Sequence, residues 1–121
     1  MKPIKVGVVG PCASGKTTLT TSLKQQGFDA RHIAQEHSYV PTMWQRLTNP
    51  DCLIYLHVSY PLTIQRRNLD WTEQEYNEQI FRLRVARDQA DLFIDTDHLN
   101  CQEVLLRATS FLQSFINSSN G

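Results

Sequence analysis

The chain is 121 residues long, 40% hydrophobic and 20% charged, the make-up of a single folded domain and not of a disordered segment. Its 12 Lys and Arg offset its 12 Asp and Glu, so a globally basic nucleic-acid binder is not indicated and only a local basic face stays open. Three widely spaced cysteines with no C-x-x-C argue against a disulfide framework and a zinc site, and read as small buried hydrophobes in a reducing cytosol.

No apolar run nears the roughly 20 residues that cross a bilayer, and no signal-peptide pattern is seen, so a cytoplasmic protein without membrane contact is expected. Residues 4–9, IKVGVV, predict a short strand buried on both faces. A helix is expected over about residues 16–26, with Leu19 and Leu23 on one face and Gly27 at its stop. Residues 28–34 predict a second strand; Asp29, Arg31 and His32 interrupt it and place it at an edge. Residues 38–46 read as a loop with a short helix. Residues 51–59, DCLIYLHVS, are the second strong strand, and Pro61 opens a helix reaching about Asn68. Thr72 and Glu75 form a capping box for a helix to about Asp88, with Tyr76, Ile80, Leu83 and Arg87 along one face. DLFID, residues 91–95, is the last strand. Asn100 and Glu103 repeat the capping pattern before a closing helix with a wide apolar face, and the tail NSSNG reads as frayed. Strands alternating with helices call for one α/β domain over residues 1–121. Its parallel sheet of about four strands has helices on both faces, joined by right-handed crossovers.

The stretch GPCASGKT, residues 10–17, fits G-x-x-x-x-G-K-[ST] without gaps. Glycines at Gly10 and Gly15 let the amides around Ala13 and Ser14 converge on one anion. The helix that follows, through Lys16, Thr17 and Thr18, points its positive end at the same place. Lys16 adds a charge for the outer phosphates of ATP, and Thr17 offers a hydroxyl to Mg²⁺. The pattern follows a buried-type strand and opens a helix, the context that a P-loop NTPase fold requires. The base-reading N-K-x-D of GTPases is not in the sequence, and neither are the paired acids or the length of an AAA-type core.

Residues 49–67, NPDCLIYLHVSYPLTIQRR, resemble the strand-then-helix segment of thymidylate kinases and related nucleoside and nucleotide kinases. In those proteins a PDLxIYLDV strand feeds a proline-started helix with arginines before a lid. Residues 86–104, ARDQADLFIDTDHLNCQEV, resemble the end of the same family: an arginine-bearing helix, a strand opened by "AD", then a loop beside the adenine. The resemblance implies a three-layer α/β/α fold and ATP-dependent phosphoryl transfer to a small acceptor, a nucleoside or nucleotide. The chain departs from the family at His57, where an acid is usual, and in the short stretch between the second strand and Asp51.

Phosphoryl transfer needs a carboxylate near the metal and arginines on the moving group. Glu36, just past the second strand, is the first candidate for metal contact and catalysis; Asp95 is weaker, and Asp51 falls at the wrong strand end. Arg66 and Arg67 precede the expected lid NLDWTEQ, and Arg82, Arg84 and Arg87 follow it; Arg67 and Arg84 are the catalytic candidates alongside Lys16. The resemblance puts Thr96 and Asp97 beside the base. His37 and His57 read as structural or surface groups. Tyr39, Trp44 and Trp71 read as core aromatics, with stacking on a base as the alternative. A rival reading keeps the phosphate nest but makes the chain a nucleotide or single-stranded polynucleotide binding module with little turnover, in which exposed Tyr39 and Trp44 stack on bases. A small sheet also leaves apolar surface that a homo-oligomer would cover.

Overall fold

The computed structural model describes residues 4–120. Four strands, β1 (Lys5–Val9), β2 (Asp29–His32), β3 (Cys52–His57) and β4 (Leu92–Asp95), pair in parallel in the order β2-β1-β3-β4. Between them run α1 (Lys16–Gln25), α2 (Met43–Leu47), α3 (Tyr60–Arg67), α4 (Glu73–Arg82) and α5 (Arg84–Gln89), and α6 (Cys101–Asn120) follows β4. The molecule is an α/β protein with a small all-parallel sheet, and β2 is an edge strand as its interrupted pattern predicts.

Alternation along the central strands builds two cores. Val6, Val8, Cys52, Ile54, Leu56 and Ile94 face one side, against Leu19 and Leu23 of α1 and Val104, Ala108 and Leu112 of α6. Val9, Leu53 and Tyr55 face the other, with Trp44 of α2, Ala86 of α5 and Leu83 between the last two short helices. Among the described residues no helix is long and apolar enough to cross a membrane.

Several expected boundaries hold. Thr72 and Glu75 form a reciprocal capping box, Asn100 and Glu103 bond to one another's backbone amides, and Gly27 takes a left-handed φ of 95° after α1. Others do not. The helix expected from Thr72 to Asp88 breaks at Leu83 (φ −92°, ψ −2°), a fully buried residue at which the chain turns from the loop end of the sheet onto its face. The buried stripe is Tyr76, Gln79, Leu83 and Ala86, while Arg87 lies out over Phe93. The second strand is four residues long, not seven. The tail is not frayed through Asn120, which is still helical; Gly121 lies outside the described residues.

The chain leaves β1 toward β2 on one side and β3 toward β4 on the other. The crevice beyond the carboxyl ends of β1 and β3 is therefore the point where strand order reverses, the usual ligand position in such sheets.

Candidate functional site

The segment between β1 and α1 occupies that crevice. Gly10 passes so close to β3 that a Cβ would collide with the carbonyl oxygen of Leu56 and stand 2.7 Å from Ser14 Oγ. Ala13 (φ 68°) and Gly15 (φ 99°) are left-handed, and the amides of Cys12 and Ser14 are bonded within the protein, to Gln79 Oε1 (3.0 Å) and Pro11 O (3.2 Å). Gly15 is the N-cap of α1 and supplies no side-chain bond; the first turn holds no acid either, so the positive helix end has no built-in counter-charge. Ser14 Oγ is buried without a hydrogen-bond partner.

Lys16 is 6% exposed. Its ammonium donates to the carbonyl oxygens of Gly10 (2.7 Å) and Pro11 (3.1 Å) and pairs with Glu36 Oε2 at 2.8 Å. Glu36 is carried by the short 3-10 turn Gln35–His37, directly after the edge strand. Its other oxygen, Oε1, is buried with no hydrogen-bond partner among the described residues. The turn is held by Gln35, fully buried, which donates to Val40 O and Arg82 O and accepts from the Trp44 amide.

Two cavities flank the loop and meet at Ala13, Gly15 and Thr18. A predominantly apolar one of about 330 Å³ lies between α1 and α6, lined by Leu19, Leu99, Val104, Ser22, Asn100 and Thr96. A second, relatively more polar one of about 760 Å³ is lined by Cys12, Lys16, Thr17, His32, Glu36, His37 and Arg67. His32 has its pKa lowered by burial and by the Lys16 ammonium, with Glu36 pulling the other way and His37 adding to the fall.

The structure brings Gly10, Ala13, Ser14, Gly15, Lys16, Thr17, Thr18, Glu36 and Arg67 together. Arg67 lines the polar cavity and has no hydrogen bond or ion pair among the described residues. Arg66 lines both cavities but is spent on internal bonds: it donates to Ala13 O (3.3 Å), to Thr96 Oγ1 (2.8 Å) and to Thr96 O, tying the loop to the segment after β4. Arg84 is not at the loop. It lies over the Phe81 ring at 3.9 Å and bonds Phe81 O, on a separate groove with Tyr39 and Arg82. Thr96 lines the apolar cavity, but its hydroxyl donates to His57 O; the Asp97 carboxylate instead accepts from the Ser59 amide. Asp95 bonds the Asp97 amide.

Among the aromatics, Trp44 is buried in the second core, contrary to its use as a surface stacker, whereas Tyr39 is exposed beneath the Arg82 guanidinium. The expected lid is stapled down: Trp71 Nε1 donates to Thr63 Oγ1, and Tyr60 Oη donates to Trp71 O. The cysteines are not all buried. Burial, with Asp91 and Asp51 nearby, pushes the Cys52 thiol up to about 12, while Cys12 is half-buried and Cys101 exposed. Sequence reasoning missed Gln79, whose amide group clasps Cys12 through its N–H (3.0 Å) and Sγ (3.2 Å). A polar residue three positions after Tyr76 on the apolar side of α4 was the available signal.

No protein-family model matches the chain, and no curated protein matches it.

Proposed function

We propose that the chain is a P-loop NTPase-type phosphotransferase of the nucleoside and nucleotide kinase kind, binding ATP at residues 10–18. The observation that carries this reading is the loop: two left-handed residues and an uncapped helix N-terminus surround a buried lysine, at the point where strand order reverses. The cavities match the two ends of the substrate. The apolar one suits a base, and the polar one, with Arg67 and His37 at its wall, suits the γ-phosphoryl group and an acceptor.

The residues present fit a Mg²⁺ ion. Thr17 offers its hydroxyl, and Glu36 has a buried oxygen without a partner. When bound, Mg²⁺ neutralises phosphate charge. Lys16 exchanges the Gly10 and Pro11 carbonyls for phosphate oxygens, and Arg67 balances charge on the transferred group. The acceptor oxygen forms the new P–O bond as ADP leaves, and the displaced proton passes to solvent. The test is ADP release against nucleosides, nucleotides and short oligonucleotides. Arg67→Ala is expected to lower kcat by about 100-fold and Arg84→Ala to leave it unchanged. Absence of ATP binding overturns the proposal.

One observation favours a second reading, single-strand binding. The groove of Tyr39, Phe81, Arg82 and Arg84 is an exposed aromatic and guanidinium surface. Oligonucleotide binding that weakens steeply with salt and is lost in Tyr39→Ala supports it.

A further inference from the structure

The nucleotide reading gives Cys12 no role, yet Cys12 stands beside Glu36 and His37, which that reading does use, so an ion held by all three competes with Mg²⁺ for Glu36. Cys12, Glu36 and His37 each offer a ligand atom, and these atoms lie within 4.8 Å of one another. The cluster joins two segments distant in sequence: the glycine loop and the turn after β2. Glu36 is 3% exposed, and while Lys16 holds its Oε2, its Oε1 has no partner. A buried carboxylate oxygen in that condition is costly, and a cation at its side removes the cost.

We propose that Cys12, Glu36 and His37 form a binding site for a borderline-soft divalent ion, Zn²⁺ by preference. One thiolate, one imidazole and one carboxylate are the donor types zinc selects, whereas a thiolate excludes Mg²⁺ and Ca²⁺ as first choices. Bonds of about 2.0–2.3 Å bring tetrahedral ligand atoms to roughly 3.3–3.8 Å apart. His37 Nε2 already lies 3.8 Å from Glu36 Oε2, and the His37 side chain is 60% exposed and so has room to adjust. Binding replaces the Cys12 S–H bond with a metal–sulfur bond and releases the proton to solvent. Gln79 Nε2, 3.2 Å from Cys12 Sγ, donates to that sulfur and stabilises its anionic form. Three protein ligands leave the fourth position open toward the polar cavity, where a water or a phosphate oxygen completes the shell. The ion engages the carboxylate that Lys16 holds, so zinc and nucleotide occupancy are coupled; that last consequence rests on the proposed nucleotide site.

Titration of the full chain with Co²⁺ tests the site directly, followed by displacement with Zn²⁺ against a chromophoric chelator. One equivalent of Co²⁺ is expected to give a thiolate-to-cobalt charge-transfer band and the visible bands of a tetrahedral ion, both abolished by Zn²⁺. Cys12→Ser is expected to lose the charge-transfer band, and His37→Ala to weaken zinc by more than the about 10–100-fold that loss of an outer-shell contact costs. Cys101→Ser, on the same cavity wall, is expected to keep the band. His37 is exposed, so its variant folds whatever becomes of the loop. No band in the parent chain, a band that survives in Cys12→Ser, or one that vanishes only in Cys101→Ser overturns the proposal. A cobalt band in a chain that binds no ATP analogue retains the metal site and removes the nucleotide reading; the converse removes the metal site alone.

Discussion

At the amino ends of the strands, Asp51 and Asp91 each close a reciprocal rung. Asp51 accepts from the Lys5 amide and donates its own N–H to Lys5 O, and Asp91 does the same with Leu53, all four bonds at 2.8 Å. At the carboxyl ends, Ser14 Oγ, Glu36 Oε1 and His57 Nδ1 are buried with no hydrogen-bond partner among the described residues, and Lys16 is drawn onto carbonyls of its own loop. One end is finished by internal bonds; the other holds polar groups whose needs the chain does not meet itself. The difference teaches where stability and the proposed function separate: satisfied carboxylates belong to the scaffold, and under the proposed function the unsatisfied one at Glu36 is where a ligand would bind.

The largest effect that sharpens this contrast is expected at the buried pair. Glu36→Ala leaves the Lys16 ammonium inside the protein without its counter-charge and should lower the unfolding free energy by about 3 kcal/mol in urea. A Lys16→Met, Glu36→Met double variant should recover most of that loss. Full stability in Glu36→Ala alone breaks the contrast.

Next, Lys16→Ala should weaken a fluorescent ATP analogue about 100-fold, the worth of one charge-assisted bond, while the chain stays folded. Smaller again, Asp51→Ala and Asp91→Ala should each cost about 1–2 kcal/mol in urea and leave nucleotide affinity unchanged. Lost affinity in a folded Asp91→Ala would mean that the two ends are not independent.

The smallest effect is at His32. Its folded pKa is lowered, so the unfolded chain binds more protons in the window just below the ordinary histidine value. Stability therefore falls as pH drops through that window and is fully present above it. By NMR, Lys16→Ala should move the His32 midpoint up and Glu36→Gln should move it down, since the first removes a lowering charge and the second a raising one. The reverse order would place His32 outside the field of the pair.

Much of the frame was legible residue by residue. Gly27, the Thr72–Glu75 box and the Asn100–Glu103 pair are local devices, settled within four residues of chain. Other residues were illegible for a physical reason. Leu83 looks like one more position in a helical stripe until the sheet face it must fill is known. Arg84 and Arg67 look alike in sequence, and only the packing of the helices puts one on a separate groove and the other at the loop. Cys12 stands out in the sequence by its place inside the glycine loop, but nothing local points to Glu36, His37 or Gln79 beside it.

By itself the sequence determined the alternation of strands and helices, the glycine loop and the edge position of β2, because those follow from backbone freedom, capping and side-chain period over a few residues. Only the tertiary structure decided that Glu36 reaches Lys16, that Arg66 is a tie and Arg67 is unbonded among the described residues, and that Gln79 and His37 stand beside Cys12. Those contacts join segments 20 to 67 positions apart. Their partners are chosen by how layers pack on the sheet, and no local rule carries that information.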